Sequence, residues 1–124
     1  MKQENFSINK RFKSFGYAFN GLKILIMEEH NSRIHVLAAI VAVIAGYFFQ
    51  ISYIEWIAII FAIGQVIAFE IFNSAIENLC DFISPGQHDT IKKIKDLSAA
   101  GVLVGAITAA IIGLIVFVPK ITGL

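Results

Sequence analysis

Charge is what this chain has least of: Asp, Glu, Lys and Arg make up 15% of its 124 residues, against about 25% in a soluble domain. Hydrophobic residues fill 57%, a balance expected in a bilayer rather than in water. The few charges nearly cancel, at +1, so no overall field draws the chain to nucleic acid. Cysteine is almost absent. Cys80 stands alone, which excludes an internal disulfide and a cysteine-rich metal site. Pro-rich, Gln/Asn-rich and collagen-like segments are missing, as is an internal repeat. The first 20 residues are polar and basic with no apolar core, and are read as carrying no signal peptide. The signatures of soluble kinases are missing too: no Gly-x-x-x-x-Gly-Lys loop, no Gly-x-Gly-x-x-Gly and no Asp-Phe-Gly.

What is present is helical periodicity. Residues 7–28 place Ile8, Phe12, Phe15, Phe19, Leu22 and Ile26 at alternating steps of four and three, one apolar stripe on a helix. Lys10, Arg11, Lys13 and Lys23 fall mostly off it, so the segment is expected to lie on the membrane–water interface. The other reading is an amphipathic helix on a soluble core, for which the remaining chain offers little material. Three spans follow, at 34–50, 54–73 and 97–119. The first two are joined by Gln50-Ile-Ser-Tyr53, room for a tight antiparallel turn only. Residues 1–124 therefore form one domain. It is all-α and integral to the membrane, with an interfacial helix followed by three transmembrane helices.

Orientation follows from the basic residues. Lys10, Arg11, Lys13, Lys23 and Arg33 precede the first span, Lys92, Lys93 and Lys95 precede the third, and the first turn has none. The positive-inside rule puts the N-terminal helix and the 82–96 loop in the cytoplasm and the C-terminus outside. Gly101, Gly105, Ala109 and Gly113 recur every four residues on the third span. They suit close helix contact, or reflect how common Gly and Ala are in spans.

The apolar second span ends in a polar stripe. Glu70, Asn73, Glu77 and Asp81 are three, four and four residues apart, hence on one helix face. Carboxylates entering a membrane are costly and point to function, and several together call for a cation or partner charge. Glu29, Asn31 and Arg33 precede the first span and Lys95-Asp96 the third, so the polar groups gather at one interface. Carboxylate and amide oxygens are hard ligands suited to Mg²⁺ rather than Zn²⁺, and a nearby lysine meets phosphate as a point charge. That chemistry fits phosphoryl transfer from a nucleotide to a lipid hydroxyl.

The stretch Glu70-x-x-Asn-Ser-Ala-Ile-Glu77-x-x-x-Asp81, followed by Lys95-Asp96-x-x-Ala-Ala, closely resembles the prokaryotic diacylglycerol kinase / undecaprenol kinase family of small membrane lipid kinases. The resemblance covers nearly the whole chain, including Gly16-Tyr17 and Gly21-Leu22 on the surface helix. Glu29-x-Asn31-x-Arg33-Ile-His35 is closer to the undecaprenol kinase branch. The resemblance implies Glu29 and Glu77 as ligands of the Mg²⁺ carried by ATP, Glu70 as general base and Asn73 as an orienting residue. It puts Lys95, Asp96, Asp81 and Tyr17 on the nucleotide side. It also implies a homotrimer with sites shared between subunits, in a bacterial inner membrane with the active site facing the cytoplasm. Undecaprenol is the favoured acceptor and diacylglycerol the alternative.

Blander readings stand beside these. Glu29 and Arg33 are spaced for a surface ion pair worth ~0.3–0.5 kcal/mol. Asp81 is open to being a solvated helix end, and Lys92 and Lys93 to being topology determinants. His35 is read as an interfacial histidine, His88 as a loop residue without a role, Cys80 as a small apolar residue, and Glu55-Trp56 as an outer-interface anchor. An ion-coupled transporter or channel subunit is the rival class. It would place its acids near the midplane, where these spans are uncharged. A purely structural membrane protein gives no reason for the stripe.

Overall fold

Ser7 starts the first helix. Its hydroxyl accepts the Lys10 amide at 3.4 Å, satisfying one of the unpaired donors of a helix start. Helix α1 then runs Ile8–Glu28. The computed structural model describes residues 5–86 and 88–123, and Phe12, Phe15 and Phe19 all stand exposed on α1. Leu25 is its buried residue. The aromatic stripe is thus left uncovered by the rest of the described chain, as an interfacial helix requires.

Glu29 alone separates α1 from α2, His30–Phe48, and its backbone is extended, with φ −112° and ψ 112°. Arg33 secures the bend. Its Nε and Nη2 donate to the carbonyls of Ile26 and Met27 at 2.7 and 2.6 Å, covering acceptors left open where α1 ends. This cap, rather than a surface ion pair, is what the structure assigns to Arg33.

Helix α2 closes in the tight turn expected, residues 49–52. Gln50 takes a left-handed backbone, φ 51°, and the Ile51 amide reaches back to the Gly46 carbonyl at 3.2 Å. Ser52 and Glu55 form a reciprocal capping box, which starts α3, Tyr53–Ile83. The Trp56 indole lies so close to Gly46 that a Cβ there would fall 2.6 Å from its Cη2. Glu55-Trp56 is therefore a fixture of the turn. Glu55 also pairs with Lys120 at 3.2 Å.

Helix α3 continues past residue 73 to Ile83, and α4 occupies Asp89–Thr122, well ahead of residue 97. His88 caps α4: its Nδ1 accepts the Thr90 amide at 3.1 Å. Among the described residues, α2, α3 and α4 are long and apolar enough to cross a membrane. Helices α3 and α4 form the principal pair, and three contacts show it to be antiparallel. Glu55 meets Lys120, Gln65 meets Gly105, and Asp81 meets Lys95. Helix α2 packs antiparallel on α3, with Gly46 against Trp56 at one end and Ser32 against Glu70 at the other. A small core of Ile51, Ile59 and Val116 ties the turn end together. Toward the other end α2 and α4 leave a groove between them, floored by α3. Of the small-residue stripe, Gly105 packs on α3, where an added Cβ would be crowded by Phe69 and Gln65, whereas a Cβ on Gly101 or Gly113 would meet nothing within 4 Å.

Candidate functional site

The candidate site forms at the end of the bundle away from the 49–52 turn, where the first turns of α2 face the polar part of α3. Glu70 is 4% exposed and Ser32 2%. The Ser32 hydroxyl donates to Glu70 Oε2 at 3.4 Å, the long end of hydrogen-bond range. His35, one turn further along α2, brings Nε2 to 3.1 Å from Glu70 Oε1. That approach is close but poorly aligned, and Oε1 is buried without a hydrogen-bond partner. A buried carboxylate oxygen lacking a donor is costly, which makes Oε1 a candidate acceptor for a further partner.

Asn73 and Ser74 follow on the next turn of α3. Asn73 Oδ1 is buried and also has no partner. Ser74 Oγ donates to Glu29 Oε1 at 3.1 Å. This bond draws the single residue between α1 and α2 onto the polar face of α3, so Glu29 joins the Glu70 and Asn73 neighbourhood although 41 positions separate it from Glu70 in the chain. Glu77 is half-buried on α3, four residues beyond Asn73 and on the same face. Asn78 donates from Nδ2 to the Ser74 carbonyl at 2.8 Å and sits beside the tether.

The remaining expected residues lie further out. Lys95 on α4 pairs with Asp81 on α3, so these two meet across the helix pair. Asp96 is mostly exposed and pairs with Lys92 at 2.7 Å, four residues away on its own helix. Tyr17 is 73% exposed on α1. The structure thus ties Glu29 to Ser74, beside Glu70 and Asn73 on α3, puts Glu77 on that face by helix spacing alone, joins Asp81 to Lys95, and leaves Tyr17 and Asp96 on the surface.

The donor set suits a hard cation. Among the described residues no group of three His, Cys, Asp or Glu side chains gathers to enclose a metal. Magnesium does not need one, since it takes one or two carboxylates and completes its shell with water and phosphate oxygens. The Glu29 carboxylate and the unpartnered Asn73 Oδ1 are oxygen atoms of that chemical kind, and Glu77 lies on the same face of α3.

Three residues of the site carry little signal in the sequence: Ser32, His35 and Ser74. Serines are too common to stand out, although Ser74 adjoins Asn73 within the polar stripe. His35 lies at the edge of an apolar run, where its 3.1 Å approach to Glu70 is invisible until α2 and α3 are paired.

Comparison with known proteins follows the same outline. A family model described as prokaryotic diacylglycerol kinase matches residues 16–117. An undecaprenol kinase of Bacillus subtilis (strain 168) is 37% identical over 120 residues, 97% of this chain and 98% of that protein. A diacylglycerol kinase of Escherichia coli (strain K12) is 31% identical over 99 residues, 80% of this chain and 81% of its own length. One from Helicobacter pylori (strain ATCC 700392 / 26695) is 31% identical over 96 residues, 77% and 75% of the two chains.

Proposed function

This chain belongs to the prokaryotic diacylglycerol kinase family and is a lipid kinase of the membrane, and from that premise we propose that it transfers the γ-phosphoryl group of Mg·ATP to the hydroxyl of a lipid alcohol, undecaprenol. One observation carries the reading: a buried Glu70 oxygen without a donor, beside oxygen ligands and at the edge of the spans. The choice of undecaprenol rests on the similarity to a protein of that name along almost the entire chain.

The proposed mechanism is a direct in-line transfer. Glu70 Oε1 accepts the proton of the lipid hydroxyl, the alcohol oxygen bonds to the γ-phosphorus, and the bond from that phosphorus to the bridging oxygen breaks to release ADP. Ser32 anchors the other carboxylate oxygen. Asn73 orients the reactants through its open Oδ1. Glu29 and Glu77 would hold the magnesium ion, which supplies charge neutralisation on the phosphate oxygens when bound. Lys95, with Asp81 beside it, lies toward the nucleotide, with Asp96 and Tyr17 completing that side. Catalysis of this kind is mainly positioning and charge stabilisation.

The site faces the cytoplasm of a bacterial inner membrane, with the C-terminus outside, on the distribution of Lys and Arg. The working form is a homotrimer. Large apolar side chains exposed along α2, α3 and α4 leave ample surface for both lipid and neighbouring copies.

The test is phosphorylation in mixed micelles with Mg·ATP and undecaprenol or diacylglycerol, beside Glu77→Gln. Transfer to undecaprenol, lost in the variant, supports the reading. Transfer to diacylglycerol alone moves the acceptor, and an active Glu77→Gln removes the metal-ligand role.

A further inference from the structure

The groove between α2 and α4 is lined by Leu37, Ala38 and Ala42 on α2, Ile63 and Val66 on α3 and Ala109 on α4, among others, and holds about 590 Å³. Every lining side chain is apolar except one, His35. The same imidazole stands 3.1 Å from Glu70 Oε1. His35 is thus the single polar group at which the apolar groove meets the buried carboxylate. Its side chain is 25% exposed, against 5% for that of Glu70.

Ser32 and His35 are three residues apart on α2, so they face α3 together. Ser32 secures Oε2, while Oε1 is left with His35 as its neighbour and no hydrogen bond. The ring borders the groove, and at 3.1 Å a ring N–H brought into line with Oε1 would donate to it. A carboxylate oxygen takes two donors, so one position stays open for a hydroxyl.

Resting on the general-base role of Glu70 proposed above, we propose that His35 is a positioning residue of the kinase reaction, fixing Glu70 Oε1 toward the lipid hydroxyl where the groove ends. The side chain does not take part in bond making. It acts through Glu70, as the partners of catalytic groups commonly do.

The experiment is steady-state kinetics on folded His35→Ala, His35→Gln, Glu70→Gln and the His35→Ala/Glu70→Gln double variant, in undecaprenol mixed micelles with Mg·ATP. Misplacing a catalytic group by about 1 Å costs on the order of a hundredfold. His35→Ala is therefore expected to lower kcat by about ten- to a hundredfold, with KM for ATP unchanged. His35→Gln, whose amide N–H reaches Oε1, recovers much of that loss. On the Glu70→Gln background His35→Ala adds no further loss, because the group it positions is gone. An unchanged kcat for His35→Ala with Glu70→Gln inactive overturns the proposal and leaves the role of Glu70 standing. An active Glu70→Gln overturns the role of Glu70 and the proposal with it. Should His35→Ala not fold, His35→Gln and His35→Met decide: they match in size and only the first carries an N–H, so equal kcat values overturn the proposal.

Discussion

Gln65 Nε2 donates to the Gly105 carbonyl at 2.7 Å, joining α3 and α4 midway between the Glu55–Lys120 and Asp81–Lys95 contacts at their ends. A side-chain amide in the apolar stretch of a span is costly unless bonded, and this bond is satisfied at one sliding register of the two helices. Gln65→Leu keeps the size and removes the bond. The expected loss is about 0.6 kcal/mol and at most ~1.7 kcal/mol, the range measured for interhelical bonds in a membrane protein. Reversible unfolding in mixed micelles checks it; no loss would mean that apolar packing alone sets the register.

Gly105 and Gly64 make an internal contrast. A Cβ on Gly105 would fall 2.6 Å from Phe69 Cδ2 and 3.0 Å from Gln65 Oε1, whereas one on Gly64 meets nothing within 4 Å. Gly105→Ala is expected to destabilise by ~1–3 kcal/mol through overpacking. Gly64→Ala is expected to stabilise by ~0.5–1 kcal/mol through the lower backbone entropy of alanine. Thermal unfolding of the two variants side by side gives the signs.

Ser74→Ala removes the hydrogen bond that holds Glu29 against α3. A bond to a charged group contributes ~1.5–3 kcal/mol, so the magnesium concentration for half-maximal activity should rise about tenfold or more. Ser74→Thr keeps the hydroxyl and is expected to remain close to the parent protein. Chelation of magnesium should abolish transfer in all three. A magnesium titration of activity reads these out, and identical curves for Ser74→Ala and the parent would sink the tether.

Lys95 and Asp81 are both partly exposed, and an exposed pair adds little stability, ~0–1 kcal/mol. Lys95→Gln is therefore expected to unfold at nearly the parent temperature. If the lysine meets phosphate, its kcat/KM for ATP should still fall about a hundredfold, the size of a lost charge contact in the transition state. Lys92→Gln, which breaks the more exposed Lys92–Asp96 pair, tests whether any cationic residue there matters. Equal effects of the two changes would reduce Lys95 to a determinant of topology.

The helices were legible because their signals are local. The alternating steps of three and four in α1 and the apolar runs of α2, α3 and α4 need only the periodicity of a helix. Their outer limits were less so. The spans expected at 54–73 and 97–119 belong to helices reaching Ile83 and beginning at Asp89, because polar residues outside a bilayer continue a helix as readily as they leave one. His88 shows the same limit, since its capping bond to Thr90 is not one of the common side-chain caps.

Glu70, Asn73, Glu77 and Asp81 share a face by arithmetic alone, so the acidic stripe and its place at the end of an apolar helix were determined by the sequence. The expense of carboxylates there made the stripe a candidate site before any fold was known. Only tertiary structure decided what stands opposite. Ser32 is 38 residues from Glu70 and Ser74 45 from Glu29, and neither pairing follows from any repeat. Both depend on how the 49–52 turn aims α2 and how far it slides along α3, which Gly46 fixes by admitting Trp56. Close packing across two helices is a property of facing surfaces, and a linear pattern records only one surface at a time.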